Sequence, residues 1–381
     1  MIQIAAPSFD ETEIEELRRC LESGWVTQGP ATEKFEKMIA DRHEVSFVRA
    51  TTSCTAALHL ATMALGLGPG DEVIVPAFTW VTSAHCAEYV GAKAVFADID
   101  LTTYNLDPAA LEAAITDKTR AIVAVHLFGL AAPMREIREI AARRGLQIIE
   151  DAACAIGTTY DGTPVGALGD IGCFSFHPRK VVTTGEGGAV TTNGQKLAEV
   201  VSSLRNHGAT GLPKDGEPQG PWSMTTFNRL GYNLRLSDIQ AAIGIAQMKK
   251  LDALLAERHR RAMGYNRLLA HLNDIALPKG DAVEFAGHTY QSYVVRICDG
   301  GRARRNRIMA EMQAGGVQTR PGTHAVHRLG YYTEKYHTQP QDYPNACIAE
   351  DTTITLPIFP GMTDAQQEKV VELLTAGMKA V

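Results

Sequence analysis

Apolar residues along this chain fall into short continuous runs separated by segments of helical period. Residues 45–50, 72–76 (EVIVP), 94–98 (AVFAD), 121–126 (AIVAVH) and 147–151 read as strands. Between them, residues 32–43, 53–65, 81–90, 107–115 and 133–144 repeat their apolar positions at helical spacing. Strands that are apolar at nearly every position are buried on both faces, so the alternation predicts a mainly parallel sheet covered by helices on both sides. Crossovers in such a sheet are right-handed, and ligands sit beyond the carboxyl ends of the strands. The helix start after Ala50, the AFTW loop at 77–80 and Asp151 all fall on that edge.

Boundary signals agree with this reading. Asp10 with Glu13 three residues on is a capping-box pattern, Ser53 or Thr52 can cap the next helix but one, and Asp107 another. Ser237 or Asp238 opens an alanine- and leucine-rich helix predicted to run unbroken to about Leu272. Beyond Pro278 the pattern changes. An alternating strand at 290–298, a helix at 302–315, a strand at 352–357 and a helix at 363–378 predict a smaller α/β domain of antiparallel character. The expected division is a large domain of residues 1–250, N-terminal segment included, and a small one of 251–381. Residues 24–30, 206–228 and 319–332 read as loops.

Composition narrows the class. Of 381 residues 45% are apolar, and the net charge of −6 gives no basic footprint for nucleic acid. The basic runs at 258–261 and 302–307 lie on helical patterns and read as solvated faces. Seven scattered cysteines without a CxxC pair suit a reducing cytoplasm rather than a disulfide framework. The start of the chain shows no basic and apolar leader pattern, and no run approaches the ~20 apolar residues that cross a bilayer. A cytoplasmic protein without a membrane partner is expected.

The chemistry concentrates in residues 148–192. There an apolar strand ends in Glu150 and Asp151, the segment GCFSFH carries Ser175, and the apolar strand reading leads to Lys180, followed by a glycine turn. Upstream, Thr51, Thr52, Ser53 and Thr55 crowd a helix start, where free N–H groups and the dipole favour a phosphate. Trp80 supplies an aromatic face. A strand-end carboxylate, an aromatic, a phosphate cup and a lysine together match the needs of pyridoxal phosphate. The lysine should carry a pKa lowered by burial or by a nearby cation. The carboxylate would keep the pyridine nitrogen protonated, making the ring an electron sink.

The run EDAACAIGTTYDGTPVGALGDIGCFSFHPRKVVTTGEGGAV resembles the signature of the DegT family of sugar aminotransferases, within fold type I of pyridoxal-phosphate enzymes. SGWVTQGP, TSCTAALHLA, PAFTWVTSAH, GYNLRLSDIQAAIG and TLPIFPGMT extend the likeness along nearly the whole chain, in family order. The resemblance implies Lys180 as Schiff-base lysine and proton carrier, Asp151 at the pyridine nitrogen and Trp80 against the ring. Thr55, Ala56 and Ser175 would take the phosphate, and Cys154 would stand beside the ring. Asn233 would reach the cofactor of a neighbouring subunit, which implies an obligatory homodimer. Trp25, Thr27, His324, His327, Arg229 and Arg320, with Lys34, are candidates for substrate. The implied reaction moves an amino group from glutamate, through the pyridoxamine form of the cofactor, to a nucleotide-linked keto-sugar.

Three positions depart from the family pattern. Cys54 stands where Gly or Ala is usual and Cys154 where His or Gln is frequent. In 319–332 His327 matches a recurrent histidine but His324 matches nothing. The pair forms an H-x-x-H spacing too sparse for a metal site. The retained Lys180 separates this chain from a dehydratase branch that carries His there. Two further readings stay open: an aminotransferase for a cyclic ketone without a nucleotide, and a non-catalytic regulator.

Overall fold

The computed structural model describes residues 1–212, 220–279 and 287–379. Residues 213–219, part of the 206–228 loop named above, lie outside the described residues. In chain order the first strands are β1 (Phe47–Thr51), β2 (Glu72–Pro76), β3 (Phe78–Thr79), β4 (Lys93–Ala97) and β5 (Thr119–Val125). They are followed by β6 (Gln147–Asp151), the short β7 (Thr159–Tyr160) and β8 (Thr163–Pro164), β9 (Ile171–Ser175) and β10 (Gly188–Thr192). Seven of these form one sheet in the order β1-β10-β9-β6-β5-β2-β4. Pairings from β9 through β4 are parallel, and β10 runs antiparallel to both its neighbours.

The continuous apolar strands have a direct cause. In β2, Val73 and Val75 enter one core cluster while Ile74 between them enters another. The first lies under helices α3 (Cys54–Ala64) and α4 (Thr82–Tyr89); the second lies under α5 (Pro108–Ala114) and α6 (Met134–Arg144). Side chains alternate across a strand, so a sheet covered on both faces needs apolar residues at consecutive positions. Each such side chain contributes about 1.5–3 kcal/mol on burial.

Caps read from sequence form as hydrogen bonds. Asp10 and Glu13 close a capping box on α1 (Glu11–Ser23), Asp107 caps α5, and Ser237 makes a second box with Gln240 on α8 (Asp238–Lys249). The long helix expected from Asp238 to Leu272 is two. Helix α9 (Leu251–Leu269) starts after a break at Lys250, whose N–H bonds Gln247 O instead of continuing the i−4 ladder. The Lys250 ammonium is held there by Ser8 O, Asp10 and Glu13, contacts that no local pattern announces.

A second, smaller sheet of β11 (Ile275–Ala276), β12 (Tyr293–Ile297) and β14 (Thr353–Leu356) is antiparallel and packs on α9, α10 (Gly301–Ala314) and α13 (Asp364–Lys379). Ile2 belongs to this core: its N–H donates to Gly316 O at 2.7 Å, and Ile358 N–H donates to Ile4 O. The stretch read as a loop at 319–332 contains β13 (His324–Ala325), which pairs with β3, and the start of α11 (Gly330–Tyr336). The pairing lays His324 and Ala325 against Thr79 and Phe78 of the AFTW loop. No helix among the described residues is long and apolar enough to cross a membrane.

Candidate active site

A cavity of about 380 Å³ opens where the carboxyl ends of β6 and β9, the start of α3, the AFTW loop and residues 320–323 and 355–356 meet. Lys180, Asp151, Trp80, Ser53, Thr55, Cys154, Ser175 and Arg320 all line it. Groups spread over some 270 residues are therefore one site.

Asp151 ends β6 and is buried. The Ser83 hydroxyl donates to its Oδ2 at 2.7 Å, and Ala153 N–H to its Oδ1 at 3.1 Å. Ser83 in turn lies 2.9 Å from Thr79 Oγ1. The adjacent Glu150 faces away, since neighbouring strand residues point to opposite faces. It is fully buried, meets His126 Nε2 at 2.9 Å, and accepts N–H bonds from Gly166, Leu168 and Gly169. Burial raises its pKa, but His126 and these amides outweigh burial and hold it below the ordinary range. Of the two acids, only Asp151 lines the cavity.

Lys180 does not lie on a strand. It sits in the turn after β9, where its N–H donates to His177 O at 2.8 Å, and its Nζ donates to Cys154 Sγ at 3.0 Å. The expected lowering of its pKa is not the net result. Burial pulls it down, but Cys154, Cys54 and Asp151 around the amine outweigh burial, and the direction is upward.

At the start of α3 the cap is Ser53, whose Oγ accepts from Ala56 N–H at 3.1 Å. The Ala56 amide is thus already used, and Ala56 does not line the cavity, whereas Cys54 and Thr55 do. The cup is closed from below by Gly188, where any Cβ would lie 2.6 Å from Cys54 N. Trp80 is half exposed, with the ring of His324 at 5.6 Å, a contact set by the pairing of His324 with Thr79. Arg320 is half-buried at the wall, and burial lowers its pKa. Arg179 and His177 lie beside it on the lining.

Other candidates fall outside. His327 is buried against Phe96, Tyr343 and Cys347, and burial pushes it down to about 4. Trp25, Thr27, Lys34, Arg229 and Asn233 are exposed and do not line the cavity of their own chain. The 24–30 loop is held by Asp238, which accepts from Gly29, Ala31 and Thr32 N–H and from the Thr32 hydroxyl. Sequence reasoning took Asp238 for a helix opener and passed over Ser83. The only local signal for Ser83 is its place three residues after Trp80, where the chain enters α4. Among the described residues no group of three or more His, Cys, Asp or Glu is placed to hold a metal.

The model of the DegT/DnrJ/EryC1/StrS aminotransferase family matches residues 7–375. GDP-perosamine synthase of Caulobacter vibrioides is 38% identical over 374 residues, covering 98% of this chain and 97% of that one. The proposed sugar aminotransferase Spr1654 from Streptococcus pneumoniae superposes with a TM-score of 0.94 in its PMP form, at 28% identity and 99% coverage of each chain. Its PLP form superposes at 0.92. 3-Amino-5-hydroxybenzoic acid synthase gives 0.89 at 30% identity, covering 98% of this chain and 97% of that one.

Proposed function

The chain belongs to the DegT/DnrJ/EryC1/StrS aminotransferase family, and on that premise we propose that it transfers an amino group from glutamate to a nucleotide-linked keto-sugar. The cofactor is pyridoxal 5′-phosphate, with its pyridoxamine form during turnover. The observation that carries this reading is the meeting of Lys180, Asp151 and the start of α3 in one cavity.

The donor set suits that cofactor. A buried carboxylate fits a protonated ring nitrogen, the amides and hydroxyls at Ser53, Thr55 and Ser175 fit a phosphate, and a primary amine fits an aldehyde. When bound, the cofactor supplies the electron sink that makes the substrate carbon acidic. The chain does the rest. Ser83 and the Ala153 amide fix Asp151 before any ligand arrives. Lys180 moves protons at the reacting carbon, a role worth ~10²–10⁴-fold. Trp80 covers one face and excludes water, with His324 behind it. Cys154 faces the lysine, at the position where the family resemblance implies that His or Gln is frequent.

The proposed assembly is a homodimer with shared sites. Asn233 and Arg229 lie outside their own cavity, on a segment that exposes Trp222, Met224, Phe227 and Leu230. Large apolar residues clustered on a surface mark an interaction site. Seven free cysteines suit a cytoplasmic location.

The identity to a GDP-sugar enzyme places a nucleotide-linked substrate ahead of a free cyclic ketone. The deciding experiment is a panel of nucleotide-linked 3-keto and 4-keto sugars with glutamate as donor, followed by mass spectrometry. Conversion of at least one supports the reading. Conversion of an inosose alone would replace it with the cyclic-ketone reading, and a purified protein that stays colourless with added pyridoxal phosphate would remove the cofactor claim.

A further inference from the structure

We propose that Cys154 and Lys180 form an oxidation site in which a hydroperoxide links the cysteine sulfur to the lysine nitrogen and takes the lysine out of use. The two atoms are 3.0 Å apart. Both backbones are pinned. Ala155 N–H bonds Ala152 O and Ala153 N–H bonds Asp151 Oδ1 on the cysteine side. Lys180 N–H bonds His177 O, and Gln291 Nε2 donates to Arg179 O on the lysine side. The fold therefore fixes the two backbone positions from which sulfur and nitrogen reach each other.

The other six cysteines lack this arrangement. Cys54, Cys86 and Cys173 are buried thiols pushed up by burial. Cys20 is buried, its thiol 3.4 Å from Trp25 O. Cys298 is exposed with a backbone oxygen for company, and Cys347 faces the neutral ring of His327. Cys154 is half-buried on the wall of a cavity that a molecule the size of a peroxide enters freely.

The chemistry balances in two steps. The Cys154 sulfur attacks one oxygen of hydrogen peroxide, the O–O bond breaks and hydroxide leaves, giving a sulfenic acid; the sulfur is oxidised by two electrons and the peroxide is reduced to the level of water. The Lys180 ammonium gives its extra proton to the hydroxide released in the first step, and the amine then attacks that sulfur; the S–O bond breaks and the oxygen leaves as water with one amine proton. The product is an S–N bond, lighter than the two free side chains by two hydrogens. A thiol reverses it. The second step needs a free amine, so it rests on the reading of Lys180 as the residue that bonds the cofactor: it belongs to the pyridoxamine stage, when Lys180 is released.

The test uses the holoenzyme, one sample preincubated with glutamate and one without. Each is treated with graded hydrogen peroxide, quenched, digested with trypsin and analysed by mass spectrometry. The expected product is the peptide carrying Cys154 joined to the peptide that begins at Lys180, about 2 Da below their summed mass. It should be several-fold more abundant after glutamate, absent from Cys154→Ser, and lost on dithiothreitol treatment. Recovery of Cys154 still free to alkylate would overturn the proposal. So would an oxidised Cys154 with the two peptides separate. Visible absorbance of the untreated protein reports separately on cofactor binding, so failure of the functional reading is distinguishable from failure of the link.

Discussion

The Ser83 hydroxyl donates to Asp151 Oδ2 at 2.7 Å across 68 residues of sequence, and Thr79 Oγ1 lies 2.9 Å from Ser83 in turn. The carboxylate that would meet a ring nitrogen is thereby oriented by the helix that follows the AFTW loop. A hydrogen bond to a charged acceptor is worth about 1.5–3 kcal/mol. Ser83→Ala should therefore weaken pyridoxal phosphate binding by roughly tenfold or more, with little change in the thermal midpoint. Titration of the apoprotein by absorbance measures it; unchanged affinity would show that Asp151 needs no such support.

Lys180→Ala should abolish amino transfer and leave far-ultraviolet circular dichroism unchanged. The side chain projects into the cavity and packs in no core cluster. The variant should also lose the Cys154 contact.

Asp238 is buried and accepts four hydrogen bonds from residues 29–32. It anchors the 24–30 loop and the start of α2 (Pro30–His43), where free N–H groups favour an anion. Asp238→Ala leaves those donors unpaired and should cost about 3 kcal/mol in denaturant unfolding. Asp238→Asn, which keeps an acceptor oxygen, should cost less.

Three buried histidines, His43, His288 and His327, are pushed by burial from an ordinary value of 6.5 to about 4. For His43 the geometry explains why: Nδ1 donates to Val165 O at 2.7 Å and Nε2 accepts from Gly157 N–H, so the ring must be neutral. The unfolded chain takes up these protons first as pH falls. Stability is full above about pH 6.5 and is lost as pH drops toward 4. Thermal midpoints measured from pH 7 to 4 should fall steadily. His43→Gln should start lower and fall less steeply.

If Asn233 serves the partner's site, Lys180→Ala and Asn233→Ala are complementary. Each alone should be inactive or nearly so. Mixed by denaturation and refolding, the hybrid dimer holds one site with both residues intact, and activity should return. No recovery on mixing would mean that Asn233 acts within its own chain or not at all.

Much of this was readable from local pattern. Alternating strand and helix, the boxes at Asp10 and Ser237 and the cap at Asp107 follow from periodicity and from hydrogen bonds within a few residues. Those interactions are local, so the local sequence determines them. Asp151 and the Trp80 loop could be read as neighbours at one sheet edge, because a parallel sheet brings strand ends together whatever the loops do; Lys180, in the turn after β9, stood out only through the family resemblance. Tertiary structure alone decided the rest. It placed His324 on Trp80 through pairing of β13 with β3, and buried His327 behind it. It broke the long helix at Lys250, where the ammonium meets Asp10 and Glu13. It set Ser83 on Asp151, Asp238 under Gly29, and Cys154 against Lys180. Each of these is a contact between residues distant along the chain. Nothing in the neighbouring sequence encodes such a contact, because its energy is realised only when the two sheets and the helices have met.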